Sequence, residues 1–138
     1  MAITEQPMKF VGWWEIVFYT RGGQAEDVED VIEHIRADGR FEAYRKGVRI
    51  GAGRHVEFQT DPVGFTNIQE DLQSHEVIGR ELVIYRLKDD TLEVCKAPES
   101  NGRPAQFGSR EGTSVVHAAA RRIPDTDQRI PELLGSQI

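Results

Sequence analysis

The chain has 138 residues, 38% hydrophobic and 29% charged, which is enough for one domain with its own core. Its formal net charge of −6 argues against nucleic acid and anionic membrane as partners, because both demand a basic face. The lone Cys95 excludes an intrachain disulfide, no apolar run approaches the ~18 residues of a membrane span, and residues 1–7 carry no basic-then-apolar leader, so a cytoplasmic location is expected.

Residues 8–20 predict a long strand, dense in aromatic and β-branched side chains from Phe10 to Tyr19 and ended by Gly22-Gly23. Residues 24–38 predict an amphipathic helix. Val28, Val31, Ile32 and Ile35 fall at i, i+3, i+4 and i+7. Glu26, Asp27, Glu29 and Asp30 crowd its first turns, with Arg36 and Gly39 at the other end. Strands follow at 40–46, 49–59, 65–70, 77–88 and 91–96, with turns at 61–64 and 89–90 and a polar loop at 71–75. Gly51 and Gly53 mark a bend in the second of these. A loop at 97–103, a short strand at 104–108 and a last long strand at 113–122 complete the pattern. Strands at this spacing predict an all-β fold with one inserted helix, an antiparallel meander that closes into an up-and-down β-barrel or a sandwich, with the closed barrel the expected form. On this reading residues 1–7 are a flexible N-terminus, 8–123 the barrel and 124–138 a tail. A short helical turn is expected after Pro131. Ile130, Leu133 and Leu134 then dock either on the barrel or on a second subunit, the latter giving a homodimer.

Two stretches carry a resemblance. Gly12-Trp13-Trp14 holds a Gly-x-Trp that looks like the lipocalin signature, in which an Arg from the last strand lies over the indole; Arg121 and Arg122 are both placed for this. The second runs from Asp90-x-Leu92-x-x-Cys95 through Pro98 and Arg103-Pro104-x-x-Phe107 to Arg121-Arg122. It is similar to a family of small uncharacterised lipocalin-like (calycin-type) domains known mainly from Planctomycetes, and Asp61-Pro62 with Phe65-x-x-Ile68 resembles that family's middle portion. The resemblance covers most of residues 8–122 and is strongest in the last third. The 24–38 segment, the tail and His117-Ala118-Ala119-Ala120 depart from it. It implies a fold and structural roles for Gly12, Trp14, Arg121 and Arg122, and no activity.

Nothing in the residues spells out a cofactor or a metal. His34, His55, His75 and His117 lie too far apart in sequence for a local ligand motif, and Gly51-Ala52-Gly53 lacks the rest of a dinucleotide fingerprint. Cys95 has no identifiable partner and reads as a buried thiol. The informative feature is volume. Alternation places Phe10, Gly12, Trp14, Ile16 and Phe18 on one face of the first strand, and Val116, Ala118 and Ala120 on one face of the last. Small residues where a barrel needs filling favour a cavity, and an eight-stranded barrel has room for one small ligand. The expected ligand-binding residues are Trp14, Phe18, Val56, Phe58, Tyr85, Ala118 and Ala120. Tyr19, Arg54, Glu57, Asn67, Gln69, Tyr85 and His117 are polar groups on predicted strands. Of these, Arg54 shares a face with Val56 and Phe58 by alternation, and His117, Tyr85, Glu57 and Arg54 are the catalytic candidates. Three functions stay open: binding of a small apolar or amphipathic molecule, a cofactor-independent cyclase or isomerase acting on a natural-product intermediate, and a structural module with a filled barrel.

Overall fold

The computed structural model describes residues 3, 4 and 6–131. Among them ten strands follow one another: β1 (Ile3–Thr4), β2 (Gly12–Arg21), β3 (Gln24–Ala25), β4 (Val31–Ile35), β5 (Arg40–Arg45), β6 (Val48–Thr60), β7 (Val63–Glu70), β8 (Val77–Lys88), β9 (Thr91–Pro98) and β10 (Val116–Ile123). From β4 to β10 each strand pairs antiparallel with the next, while β2 joins β4 on one side and β10 on the other. The result is a closed eight-stranded up-and-down barrel, the lipocalin-like architecture expected from the sequence. β1 and β3 are short additions to β6 and β2. Closure leaves no backbone edge unpaired along the ring. No helix among the described residues is long and apolar enough to cross a membrane.

The expected helix at 24–38 does not form. Gln24–Ala25 pairs with the end of β2, residues 26–30 are loop and turn, and Val31–Ile35 is a central strand of the ring. Five residues explain the error. Val31, Glu33 and Ile35 alternate toward the barrel interior, while Ile32 packs on the outside with Trp13, Tyr44 and Ile123. A strand that is apolar on both faces produces the same i, i+3, i+4 pattern as a helix, and its β-branched residues favour the pleated form. The ring also requires a strand between β2 and β5, and that tertiary demand outweighs local periodicity.

The outer Trp13 cluster is covered by the C-terminal segment. Ile130 packs against it, and Arg129 ties the segment down through Glu15 on β2 and Asp127. Ile130 therefore docks on the barrel's own wall. Leu133, Leu134 and the helical turn expected after Pro131 lie outside the described residues. The strand expected at 104–108 is instead part of a long connection between β9 and β10. Arg103 Nη1 anchors that connection by donating to the carbonyls of Phe65 and Val83 at 2.9 and 2.7 Å. Phe107 lies under the Arg86 guanidinium at 4.0 Å, and the Cys95 thiol donates to the Gly108 carbonyl at 3.4 Å. The residues that carry the family-like pattern thus act together to pin one loop to the barrel wall.

The closed end of the barrel is an aromatic plug. Phe10, on a short 3₁₀ turn (Met8–Phe10), meets Phe58, Phe65 and Tyr85 edge-on at centroid distances of 5.5, 5.8 and 4.9 Å. Trp14 is fully buried beside it and donates its indole N–H to the Phe10 carbonyl at 2.9 Å. The Arg122 guanidinium lies 4.4 Å over the Trp14 ring and donates to the carbonyls of Val11 and Lys9. Gly12 makes this approach possible: its φ is +136°, and a Cβ there would sit 2.7 Å from Arg122 Nη1. Arg121 points outward to Glu15 at 2.5 Å, so Arg122 alone closes the end. Replacing Arg122 with Ala is expected to lower stability by about 2–3 kcal/mol, combining the cation–π contact with the lost charge-assisted hydrogen bonds. Arg121→Ala should cost under about 1 kcal/mol, because its ion pair is exposed. Urea denaturation of the two variants checks the difference; equal losses would show that the closure does not depend on the indole contact.

Candidate functional site

Above the aromatic plug the barrel is not filled. A cavity of about 390 Å³ opens toward the end where β2 and β3, the 26–30 segment and the β5–β6 turn meet. Its volume falls in the range of ~300–1,000 Å³ typical of small-ligand sites. Ile16, Ile35, Phe41, Phe65, Val83 and Leu92 form the apolar part nearest the plug. Ala118 and Ala120 line it as well, and their short side chains leave the space that larger aliphatics would occupy. Gly53 serves the same wall differently. A Cβ there would meet the Ile68 carbonyl at 1.9 Å and the Phe41 ring at 2.8 Å, so glycine is what lets the ring lie across β6.

A belt of polar groups crosses the cavity. On one wall three adjacent strands, β7, β8 and β9, bring together Asn67, Glu81 and Lys96. Asn67 Nδ2 donates to Glu81 Oε1 at 2.8 Å, and Lys96 Nζ lies 3.4 Å from the same carboxylate. Lys96 also sits 5.5 Å from the centre of the Tyr19 ring. Asn67 is 4% exposed, and its carbonyl Oδ1 has no hydrogen-bond partner among the described residues. Glu33 stands on β4, three strands round the ring from β9. Its carboxyl has neither a hydrogen bond nor an ion pair among the described residues. Gln69 adds a further amide to the lining.

Charge inside an apolar barrel is costly unless it is paired, and the two walls meet this cost differently. Burial raises the Glu33 carboxyl from its ordinary value to about 7, only partly opposed by Lys96. Burial also pulls Lys96 toward neutrality, but Tyr19, Glu81 and Glu33 outweigh it and hold the ammonium above its usual value. Lys96 lines the cavity with a largely buried side chain. His55, stacked on Phe41 at 4.8 Å and tilted against Phe65 at 4.6 Å, is driven down to about 3 by burial, then by Lys96, and is a neutral ring at physiological pH.

The expected site residues divide. Ala118 and Ala120 line the cavity. Trp14, Phe58 and Tyr85 belong to the plug beneath it, where burial raises the Tyr85 phenol above its ordinary value. Phe18, expected inside, points outward. The pairing of β2 with β10 slips at Val17, so Ala120 faces Ile16 while Ala119 faces Phe18. This extra residue reverses the alternation, sends Tyr19 into the cavity and leaves Phe18 edge-on to His117 at 5.0 Å on the outer surface. His117 is therefore outside as well, 2.5 Å from Glu93. Val56 faces out opposite Thr66, one residue beyond inward-facing His55. Arg54 shares that outer face and pairs with Glu70 at 3.0 Å, against the expectation that it faces inward. Glu57 occupies the β6 bulge at φ 55° and pairs with Arg80 at the surface. None of His117, Glu57 and Arg54 reaches the cavity, and Tyr85 stands below it.

Asn67, Gln69 and Tyr19 enter the site from among the polar strand residues noted in the sequence. Glu33, Lys96 and His55 were missed. Lys96 continues the alternation Leu92, Val94, Lys96, so its inward position was readable. Glu33 was hidden by the assignment of 24–38 as a helix. Comparison of the chain with protein-family models, with curated proteins and with solved structures finds no match.

The electrostatics of Glu33 give a stability test. Its folded value of about 7 exceeds the ordinary 4.5, so the folded state holds the proton more tightly. The stabilisation is full below about 4.5 and is lost as pH rises through 7. Glu33→Gln keeps the shape without the ionisation, so its advantage over the unaltered protein should grow from near zero at about pH 4 to on the order of 3 kcal/mol at about pH 8. Urea midpoints across that interval measure it; a difference independent of pH would place the carboxyl in contact with bulk water.

Proposed function

We propose that this barrel binds a small, largely apolar or amphipathic molecule. The observation that carries the reading is the cavity of about 390 Å³, apolar toward the plug and crossed by Glu33, Asn67, Lys96 and Tyr19. Such a site orients a ligand by a few polar contacts and holds it by apolar area. A cavity of this size argues against a barrel that serves only as a filled structural module. Membership of the small lipocalin-like family that residues 90–122 resemble, and a cytoplasmic location, belong to the same proposal.

A second reading is a cofactor-independent cyclase or isomerase acting on a natural-product intermediate. Glu33 favours it, since a carboxyl that titrates at about 7 inside a water-poor cavity is suited to exchange protons with a bound substrate. Positioning of a flexible substrate in the barrel adds to such a reaction without further groups.

The binding reading predicts that a neutral apolar fluorophore of naphthalene size brightens on addition of the protein, with saturable, one-to-one titration. Ala118→Leu places a larger side chain on the cavity wall and should weaken that titration about tenfold or more while leaving the circular dichroism unchanged. Unaltered binding in the filled variant would put the dye on the outer surface and remove the main support for the proposal. Conversion of a bound compound, followed by mass spectrometry of the recovered ligand, separates the enzymatic reading from simple binding.

A further inference from the structure

The polar belt of the cavity is unbalanced, and the imbalance has a sign. Glu81 and Lys96 form a pair within 3.4 Å and cancel. At the mouth, Glu26 is paired with Arg21 at 3.1 Å, Arg45 donates to the backbone carbonyls of Asp27 and Glu29, and the Asp27 carboxylate accepts from the Glu29 N–H. These four mouth charges also sum to zero. Glu33 remains, an acid that lines the cavity with no cation paired to it among the described residues. The groups that face it across the cavity are Tyr19 on β2, Arg45 on β5, the neutral His55 on β6, Glu81 and Lys96 on β8 and β9, and Glu26 and Asp27 at the mouth.

A second, independent observation points the same way. Asn67 turns its amide nitrogen to Glu81, which leaves its carbonyl oxygen as a buried acceptor without a donor. An acceptor left without a donor at this depth is unfavourable. Both unmet groups thus ask for hydrogen-bond donors, and one of them asks for positive charge. The apolar surround suits the rest of such a ligand, since the rings of Phe41 and Phe65 line the same cavity and can cover an apolar body.

We propose that the cavity is selective for a hydrophobic amine, its protonated nitrogen placed against the Glu33 carboxylate and its apolar body lying toward Phe41 and Phe65. This rests on the binding reading above and specifies its ligand class. The amine supplies the charge that Glu33 lacks. A carboxylic acid of the same shape meets surplus negative charge instead, and a neutral alcohol supplies a donor without the charge.

The test uses decylamine, decanol and decanoic acid as displacers of the neutral fluorophore from the full chain. At pH 8 the amine should bind about tenfold tighter than the alcohol, the advantage expected of one charge-assisted contact, with the acid weakest. Glu33→Gln should bring amine and alcohol within about threefold of each other, chiefly by weakening the amine. In the unaltered protein, amine affinity should rise between pH 6 and 8 as Glu33 ionises, while alcohol affinity stays flat. Should the variant fail to fold, this pH series decides the same point. Equal binding of amine and alcohol, or tightest binding of the acid, overturns the amine proposal and leaves the binding reading standing. If neither the fluorophore nor any of the three binds, the binding reading fails and the amine proposal fails with it.

Discussion

The contact of Arg122 with Trp14 is the constraint on which the rest of the barrel depends. β2 and β10 are far apart in sequence, and a closed ring exists only if they pair. Their register is anchored at one end by a guanidinium that covers the indole and reaches the carbonyls of Val11 and Lys9. Gly12 supplies the space, and the Trp14 indole returns a hydrogen bond to Phe10. Phe10, in turn, seats the aromatic plug. The closed end is therefore rigid and dry, which confines empty volume to the other half of the barrel.

That division of labour accounts for the chemistry of the cavity. Apolar packing is satisfied by the plug, and the upper strands are free to carry small residues and charges. Ala118, Ala120 and Gly51 give the room, while Glu33, Asn67 and Lys96 give it polarity. A Lys–Glu pair inside a barrel is tolerated because each charge answers the other. Glu33 has no such answer among the described residues, and burial raises its pKa with only Lys96 opposing. Structural and functional demands meet in the same few residues: what is uncomfortable for the empty fold is what a ligand can relieve.

Much of the barrel was legible in the chain. β8 was predicted with its observed bounds, and the β8–β9 turn at Asp89-Asp90, the bend at Gly51 and Gly53, and the Gly-x-Trp with its distant Arg all correspond to real features. The misreadings have particular causes. Val31 to Ile35 is apolar on both faces because the Trp13 cluster and the C-terminal segment cover its outside, and that cover comes from residues about 90 positions away. Phe18 was assigned inward because alternation was carried through Val17, where the register slips, and His117 stayed a candidate because the inner face of the last strand was left open. Arg54 was read as inward from its spacing to Phe58, across the bulge at Glu57.

By itself the sequence determined the class of fold, the Gly-x-Trp with its distant Arg and the smallness of the last strand, because strand periodicity, turn residues and a Gly-x-Trp are local properties of the chain. Which face of each strand lines the interior was decided only by the tertiary structure. One extra residue in a pleated strand exchanges inside for outside for everything beyond it, and bulges at Val17 and Glu57 leave no reliable mark in composition. The meeting of Glu33 with the Asn67–Glu81–Lys96 wall is likewise a product of closure, since those residues share no sequence neighbourhood and converge only when the sheet curls into a ring.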